Sequence, residues 1–154
     1  MIWLLVFAIG FVAGLRSFTA PTAVAWAARL GWLSLAGTPL AFLRTTATVV
    51  IFTLFALAEY VTDQLPRTPA RTTPGPLAAR ALTGGLSGAA LALAAGQSIV
   101  AGIVLGAIAG VAGAFAGYQV RTRTVRALQV PDFVVAVAED LVAIGVALLI
   151  VSRV

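Results

Sequence analysis

The hydrophobic residues of this chain fall into six long runs, separated by short segments rich in proline, arginine or turn-forming residues. No run alternates apolar and polar positions with a period of two, so the pattern favours helices over the strands of a transmembrane barrel. The pattern predicts an all-α, polytopic integral membrane bundle. Its helices are expected at about residues 2–15, 20–35, 46–63, 77–96, 99–118 and 133–152.

The second run is the exception in this series. The fourth, fifth and sixth runs are long enough to cross a hydrocarbon core of about 30 Å. The second run is short and carries Arg29. It is therefore interpreted as a tilted span, a re-entrant segment or an interfacial helix.

The composition supports a membrane location for the whole chain. Of the 154 residues, 61% are hydrophobic and 10% are charged, and the mean hydropathy is +1.07. A soluble domain is about half apolar and about a quarter charged. So few charges would not cover a water-facing surface of this size, and we expect one transmembrane domain over residues 1–154 in contact with the lipid bilayer.

Several residue types that commonly act in catalysis or bind metals are absent from the sequence. The sequence has no cysteine, histidine or lysine, which excludes disulfides, thiol nucleophiles and the commonest metal ligand. No phosphate-binding loop, dinucleotide fingerprint, zinc-protease motif or nucleophile elbow occurs. We expect no metal, no cofactor and no nucleic acid partner, since the arginines are dispersed between apolar runs rather than clustered.

The arginines also predict the topology. If all six runs cross the membrane, seven arginines lie on one side and two on the other. If the second run does not cross, six arginines lie on one side and four on the other. The first division is the strong positive-inside asymmetry of a bacterial cytoplasmic membrane protein. It predicts both termini outside and the following residues inside: Arg16, Arg67, Arg71, Arg80, Arg121, Arg123 and Arg126.

Glycines recur at four-residue spacing in the fifth run. Small residues at this spacing let helix backbones approach closely within a membrane. They predict either a tight central helix or the contact surface of a homodimer. The residues are Gly102, Gly106, Gly110, Gly113 and Gly117.

Two acidic pairs are the first functional candidates. Glu59 and Asp63 share a face near the end of the third run, and Glu139 and Asp140 lie about two turns into the sixth. A carboxylate at membrane depth is costly unless it is paired, protonated or hydrated. One interpretation is a proton or cation relay in a cavity open to the cytoplasm. The other is arginine–carboxylate pairing that joins helix ends, with Arg16 against Glu139 as one such pair.

The remaining polar residues have simpler interpretations. Asp63 and Asp132 lie near loops and are expected to be helix caps or solvated ends. Ser17 and Thr19 are expected to satisfy the backbone of an interrupted helix, or to bind an anion.

Two short strings occur twice. Gly10-Phe-Val-Ala-Gly14 is similar to Gly113-Ala-Phe-Ala-Gly117, and Ala56-Leu-Ala-Glu59 is similar to Ala136-Val-Ala-Glu139. They suggest a weak internal repeat of a three-helix unit. Such a repeat would place a site at the interface between its halves.

Several longer strings resemble a bacterial membrane-protein family known as domain of unknown function 4126. The most specific are Gly14-Leu-Arg-Ser-Phe-Thr-Ala-Pro21 and Ala58-Glu-Tyr-Val-Thr-Asp-Gln-Leu-Pro66; the family commonly has lysine where this chain has Gln64. The similarity covers nearly the whole chain. The resemblance implies a small multi-span protein without an established activity, and it points to Arg16, Glu59, Asp63, Glu139 and Asp140.

Three functions follow from these features. The first is a small transporter or channel-like protein that uses Glu59 and Glu139 for an unknown solute or ion, as a homo-oligomer, with a dimer favoured for so short a chain. The second is a non-catalytic scaffold that binds partners through its glycine faces. The third, a membrane enzyme acting on lipid-linked substrates, has few catalytic groups to rely on, so we expect no enzyme.

Overall fold

The computed structural model describes residues 1–64 and 70–154, and within them it contains six α-helices and no strand. This confirms the all-α prediction. The part of the proline-rich loop that contains Arg67 and Thr68 lies outside the described residues. The helices are α1 (Ile2–Leu15), α2 (Thr19–Arg29), α3 (Thr46–Thr62), α4 (Pro74–Ala94), α5 (Ile99–Leu128) and α6 (Asp132–Val151), with a short 3-10 helix at Ala41–Arg44.

Three of the described helices, α4, α5 and α6, are long and apolar enough to cross a membrane. This is fewer than the six crossings predicted from the sequence. Helices α1 and α3 are apolar but have 14 and 17 residues. At about 1.5 Å per residue they reach only about 21 and 26 Å, less than a typical hydrocarbon core of about 30 Å. The three long helices indicate a membrane protein.

The prediction of a helix over residues 20–35 is wrong at its end. Helix α2 stops at Arg29, because Gly31 adopts a φ of 81° and the Trp32 N–H donates to the carbonyl oxygen of Ala27 at 2.8 Å. Glycine commonly ends a helix in this left-handed conformation. With 11 residues, α2 is about 17 Å long and too short to span a bilayer.

The prediction that the fifth helix ends near residue 118 is also wrong. Helix α5 continues through the arginine-rich segment to Leu128 and has 30 residues. That segment holds no glycine or proline to end the helix, and its three arginines favour helix. The helix ends only where Gln129 adopts a φ of 50° and Pro131 follows.

Helix α5 is the centre of the bundle and packs against α1 and α4 through glycines. A Cβ atom built on Gly106 would lie 2.2 Å from the carbonyl oxygen of Gly84, and one on Gly14 would lie 2.3 Å from that of Gly110. The two similar glycine strings also contact each other, since a Cβ on Gly113 would lie 2.2 Å from the Phe11 carbonyl oxygen. All five predicted packing glycines of α5 are buried within one chain, and therefore they do not form a surface for dimerisation.

Helices α1 and α2 form an antiparallel hairpin with its tip at residues 16–18. The Thr19 and Tyr60 hydroxyls lie 2.7 Å apart, and Trp26 Nε1 donates to Thr53 Oγ1 at 3.1 Å, so α2 runs antiparallel to α3. Eight residues of α2 are buried. The hairpin therefore places its tip inside the protein, beside the carboxyl end of α3.

Candidate functional site: a buried cluster of arginines and carboxylates

Arg16 forms the tip of the hairpin. Its backbone is extended, with φ −140° and ψ 113°, which ends α1 and turns the side chain into the bundle. The side chain has no solvent exposure. Its guanidinium hydrogen-bonds Asp63 through Nη1 and forms an ion pair with Asp140 through Nε. Arg16 thus joins the carboxyl end of α3 to α6.

The predicted pair between Arg16 and Glu139 is present but is a long contact. Arg16 Nη2 lies 3.9 Å from Glu139 Oε2. This nitrogen is buried and has no hydrogen-bond partner among the described residues. Arg16 therefore relies on Asp63 and Asp140 rather than on Glu139.

Glu59 accepts main-chain hydrogen bonds from the two residues that precede α2, of which Phe18 is the N-cap. Its Oε1 accepts from Ser17 N at 2.7 Å, and its Oε2 accepts from Phe18 N at 2.9 Å. The first N–H groups of a helix lack partners within the helix and carry partial positive charge. Arg80 Nη2 adds a third donor at 3.4 Å from Oε1. Glu59 therefore satisfies the interrupted backbone, a role that the sequence analysis gave to Ser17 and Thr19; the Thr19 hydroxyl contacts the Tyr60 hydroxyl instead.

Glu139 binds Arg71 through two parallel hydrogen bonds. Arg71 Nη1 donates to Oε1 at 2.6 Å, and Nη2 donates to Oε2 at 3.0 Å. Arg71 Nη1 also reaches the carbonyl oxygen of Leu15 at 3.3 Å. This two-pronged geometry is the strong form of an arginine–carboxylate pair. It connects the segment preceding α4 to α6 and to the end of α1.

Arg121 on α5 joins the two remaining acids. It hydrogen-bonds Asp132 and lies 3.7 Å from Asp63 Oδ2. The Asp132 side chain is 58% exposed, in keeping with the predicted solvated end. Asp63 is different: it caps α3, but its side chain is only 15% exposed and contacts two arginines. Of the two predicted roles of Asp63, the structure therefore shows the helix cap and not the solvated end.

Together these contacts define one charged cluster with balanced charge. Its four carboxylates are 11–15% exposed, and each lies within 4 Å of at least one of the four arginines. Burying so many charges is tolerable only when each is paired and hydrogen-bonded. The charged cluster consists of Arg16, Arg71, Arg80, Arg121, Glu59, Asp63, Glu139 and Asp140.

One largely apolar cavity borders the charged cluster, and a second ends beside it. A groove of about 340 Å³ between α1, α5 and α6 is bordered by Arg121 and Glu139. A cleft of about 210 Å³ between α2, α3 and α6 ends at Thr19 and Tyr60. No group of acids able to hold a metal ion occurs among the described residues. The charged cluster therefore offers paired charges beside apolar openings rather than a metal site.

The sequence analysis proposed four acids and one arginine as site residues, and the structure brings all five together: Glu59, Asp63, Glu139, Asp140 and Arg16. It did not single out Arg71, Arg80 or Arg121, which provide most of the counter-charge. One signal for Arg80 was available. This residue lies inside an apolar run, where an arginine within a membrane helix calls for a buried partner.

Comparison of the chain with family models, with curated proteins and with solved structures finds no match.

Proposed function

We propose that this chain is a small transporter or channel-like protein of a bacterial cytoplasmic membrane, in which the charged cluster controls the passage of a small solute or ion. One observation carries the proposal. Two acidic pairs and Arg16 meet at the break between α1 and α2, where main-chain N–H groups point at Glu59. Interrupted helices with charged groups at the break are typical of the binding sites of membrane transporters.

The proposal includes six passages of the chain through the bilayer, with the charged cluster on the cytoplasmic side. The course of α2 supports this. It starts beside the end of α3 and finishes where Arg29 borders a cavity with Thr46, at the beginning of α3. The α1–α2 hairpin therefore returns to the end from which it started, and residues 30–45 complete a passage that the 11-residue helix leaves short.

A homodimer is part of the proposal as well. A bundle of 154 residues has little interior left for a pathway once its centre is filled by packed glycines. Large apolar side chains on the outward faces of α3 and α6 provide a surface for lipid or for a second copy, among them Leu54, Leu57, Leu141 and Leu149.

Proton flux in proteoliposomes under an imposed potential tests this function. We expect flux in the wild type and its loss in Glu59→Gln and in Glu139→Gln, since the amide removes a titratable group while keeping the size of the side chain. Asp132→Asn is the matched control, because it removes an exposed carboxylate at the start of α6 and should keep the flux. If neither the wild type nor any folded variant conducts protons, the carboxylates do not form a proton pathway.

A second candidate is a membrane scaffold without transport. The observation that favours it is the pairing of every buried carboxylate in the charged cluster with arginine, which is what a purely structural role requires. A scaffold predicts that Glu59→Gln and Glu139→Gln change thermal stability while no variant changes ion flux. Altered flux in a stably folded variant would reject the scaffold.

A further inference from the structure

We infer that the carboxyl end of α5 and the groove between α1, α5 and α6 together bind one anionic phospholipid. Its acyl chain would lie in the groove, and its phosphate would be held by Arg123 and Arg126. This site goes beyond the proposed function, because a lipid can bind there whether or not the chain transports an ion.

Helix α5 is longer than a membrane crossing requires. It has 30 residues and a length of about 45 Å, whereas residues 99–118 alone span about 30 Å, the thickness of the hydrocarbon core. Tyr118 ends that stretch, and tyrosine is enriched where acyl chains meet headgroups. A crossing by α5 therefore leaves its last three turns, residues 119–128, at the level of the lipid headgroups and beyond.

The arginines of these last turns differ in whether an acid neutralises them. Arg121 is neutralised, since its Nε donates to Asp132 Oδ1 at 2.9 Å. Arg123 and Arg126 are exposed and form no ion pair with any described residue. All five acidic side chains of the sequence lie in the described part of the chain, and each is paired with one of four other arginines: Arg16, Arg71, Arg80 or Arg121. The counter-charge for Arg123 and Arg126 must therefore come from outside the chain.

The groove of about 340 Å³ provides the apolar half of the site. Its two charged members, Arg121 and Glu139, are already paired within the protein, with Asp132 and Arg71. The rest of its wall is formed by small and apolar residues, among them Phe11, Leu15, Val120, Val135 and Val142. An acyl chain in this groove would meet apolar surface and no unpaired charge.

The register of α5 places the two halves of the site next to each other. Ala116 lines the groove, and Arg123 follows it by seven residues, about two turns and 10 Å further along the same helix face. Arg126 is three residues further and neighbours Arg123 on the helix surface. An apolar groove that leads to two free arginines matches a molecule with an acyl chain and a phosphate, which arginine binds strongly.

The charges also favour a lipid over a second copy of the chain as the occupant of this groove. Every acidic side chain of a second copy would already be paired with that copy's own arginines. A second copy would therefore offer no free acid to Arg123 and Arg126, whereas an anionic phospholipid brings an unpaired phosphate.

Thermal unfolding of the purified chain in detergent tests the headgroup contact. Dioctanoyl phosphatidylglycerol at about ten times its Kd should raise the unfolding temperature by roughly 4 °C in a saturable manner. Dioctanoyl phosphatidylcholine has the same acyl chains without net charge and should give no rise. The double variant Arg123→Gln/Arg126→Gln changes two exposed side chains, so it should fold and lose the rise. Arg153→Gln, another exposed arginine, is the matched control and should keep it. Equal rises with the two lipids, or a full rise in the double variant, would overturn the site.

Filling the groove tests the acyl-chain contact. Ala138 is exposed and lines the groove, whereas its neighbour Val137 is exposed outside it. Ala138→Phe should therefore lose the rise given by phosphatidylglycerol, and Val137→Phe should keep it. A full rise in Ala138→Phe would mean that arginines attract headgroups without the groove, and a dimer that only Ala138→Phe dissociates would make the groove an interface between copies. Either result would overturn the site, and neither depends on ion flux.

Discussion

Replacing Gly106 by alanine should weaken the whole bundle, because this residue is the closest contact between α4 and α5. The added Cβ would lie 2.2 Å from the Gly84 carbonyl oxygen and 3.1 Å from the Gly88 Cα. Both are backbone atoms, so no side chain can rotate to make room. The two helices must separate by about 1 Å, and overpacking of this kind costs about 1–3 kcal/mol or more.

The separation would also loosen the neighbouring glycine contacts of α5, so we expect a loss at the upper end of that range, about 3 kcal/mol. For a chain of this size this corresponds to a fall of roughly 6–12 °C in the unfolding temperature. Circular dichroism of the purified protein in detergent measures it. Gly145→Ala is the matched control, because a Cβ there meets nothing within 4 Å and alanine favours helix. If both variants unfold at the same temperature as the wild type, the packing of α5 is not as described.

Three further predictions concern the charged cluster and the topology. Arg16→Gln leaves buried carboxylates without their partner and should lower the free energy of unfolding by about 3–5 kcal/mol, measured by chemical denaturation. The control Arg153→Gln, at an exposed position just after α6, should change the free energy of unfolding by no more than about 0.5 kcal/mol. Asp132→Asn removes a carboxylate that is 58% exposed and should cost at most about 1 kcal/mol in the same assay, so a larger loss would mean that its pair with Arg121 stabilises the fold. In this cysteine-free chain, Gln97→Cys should react with an impermeant thiol reagent from outside intact cells, and Ala127→Cys should react only after the cells are opened; the opposite result would reject the topology.

The helices that the sequence predicted best are those whose limits are set by local chemistry. Helix α5 begins at residue 99 as expected, since the Ser98 side chain caps it and the apolar run starts there. Its end was misplaced because arginines after Tyr118 signal the end of a membrane span but not the end of a helix. The stop depends instead on Gln129 and Pro131.

The four acids of the charged cluster and Arg16 were predictable from the sequence, whereas its other three arginines and most of its ion pairs were not. The cost of burying Glu59 and Glu139 indicates that partners exist, and the positive-inside rule indicates that arginines lie at the same level. The pairing of each arginine with an acid depends on how each helix is rotated about its axis. Hydrophobic runs without a polar face do not reveal that rotation. The binding of Glu59 by Ser17 N and Phe18 N was beyond sequence reasoning, because main-chain donors leave no mark in the side-chain pattern.

Ion passage at the charged cluster is tested most directly by proton flux through the wild-type protein, in liposomes whose potential is set by a potassium gradient and valinomycin. If the charged cluster serves ion passage, the flux is proportional to the amount of protein per liposome and reverses when the sign of the potential is reversed. Flux equal to that of protein-free liposomes, at both signs of the potential and at every protein-to-lipid ratio, would contradict the claim that the charged cluster serves ion passage.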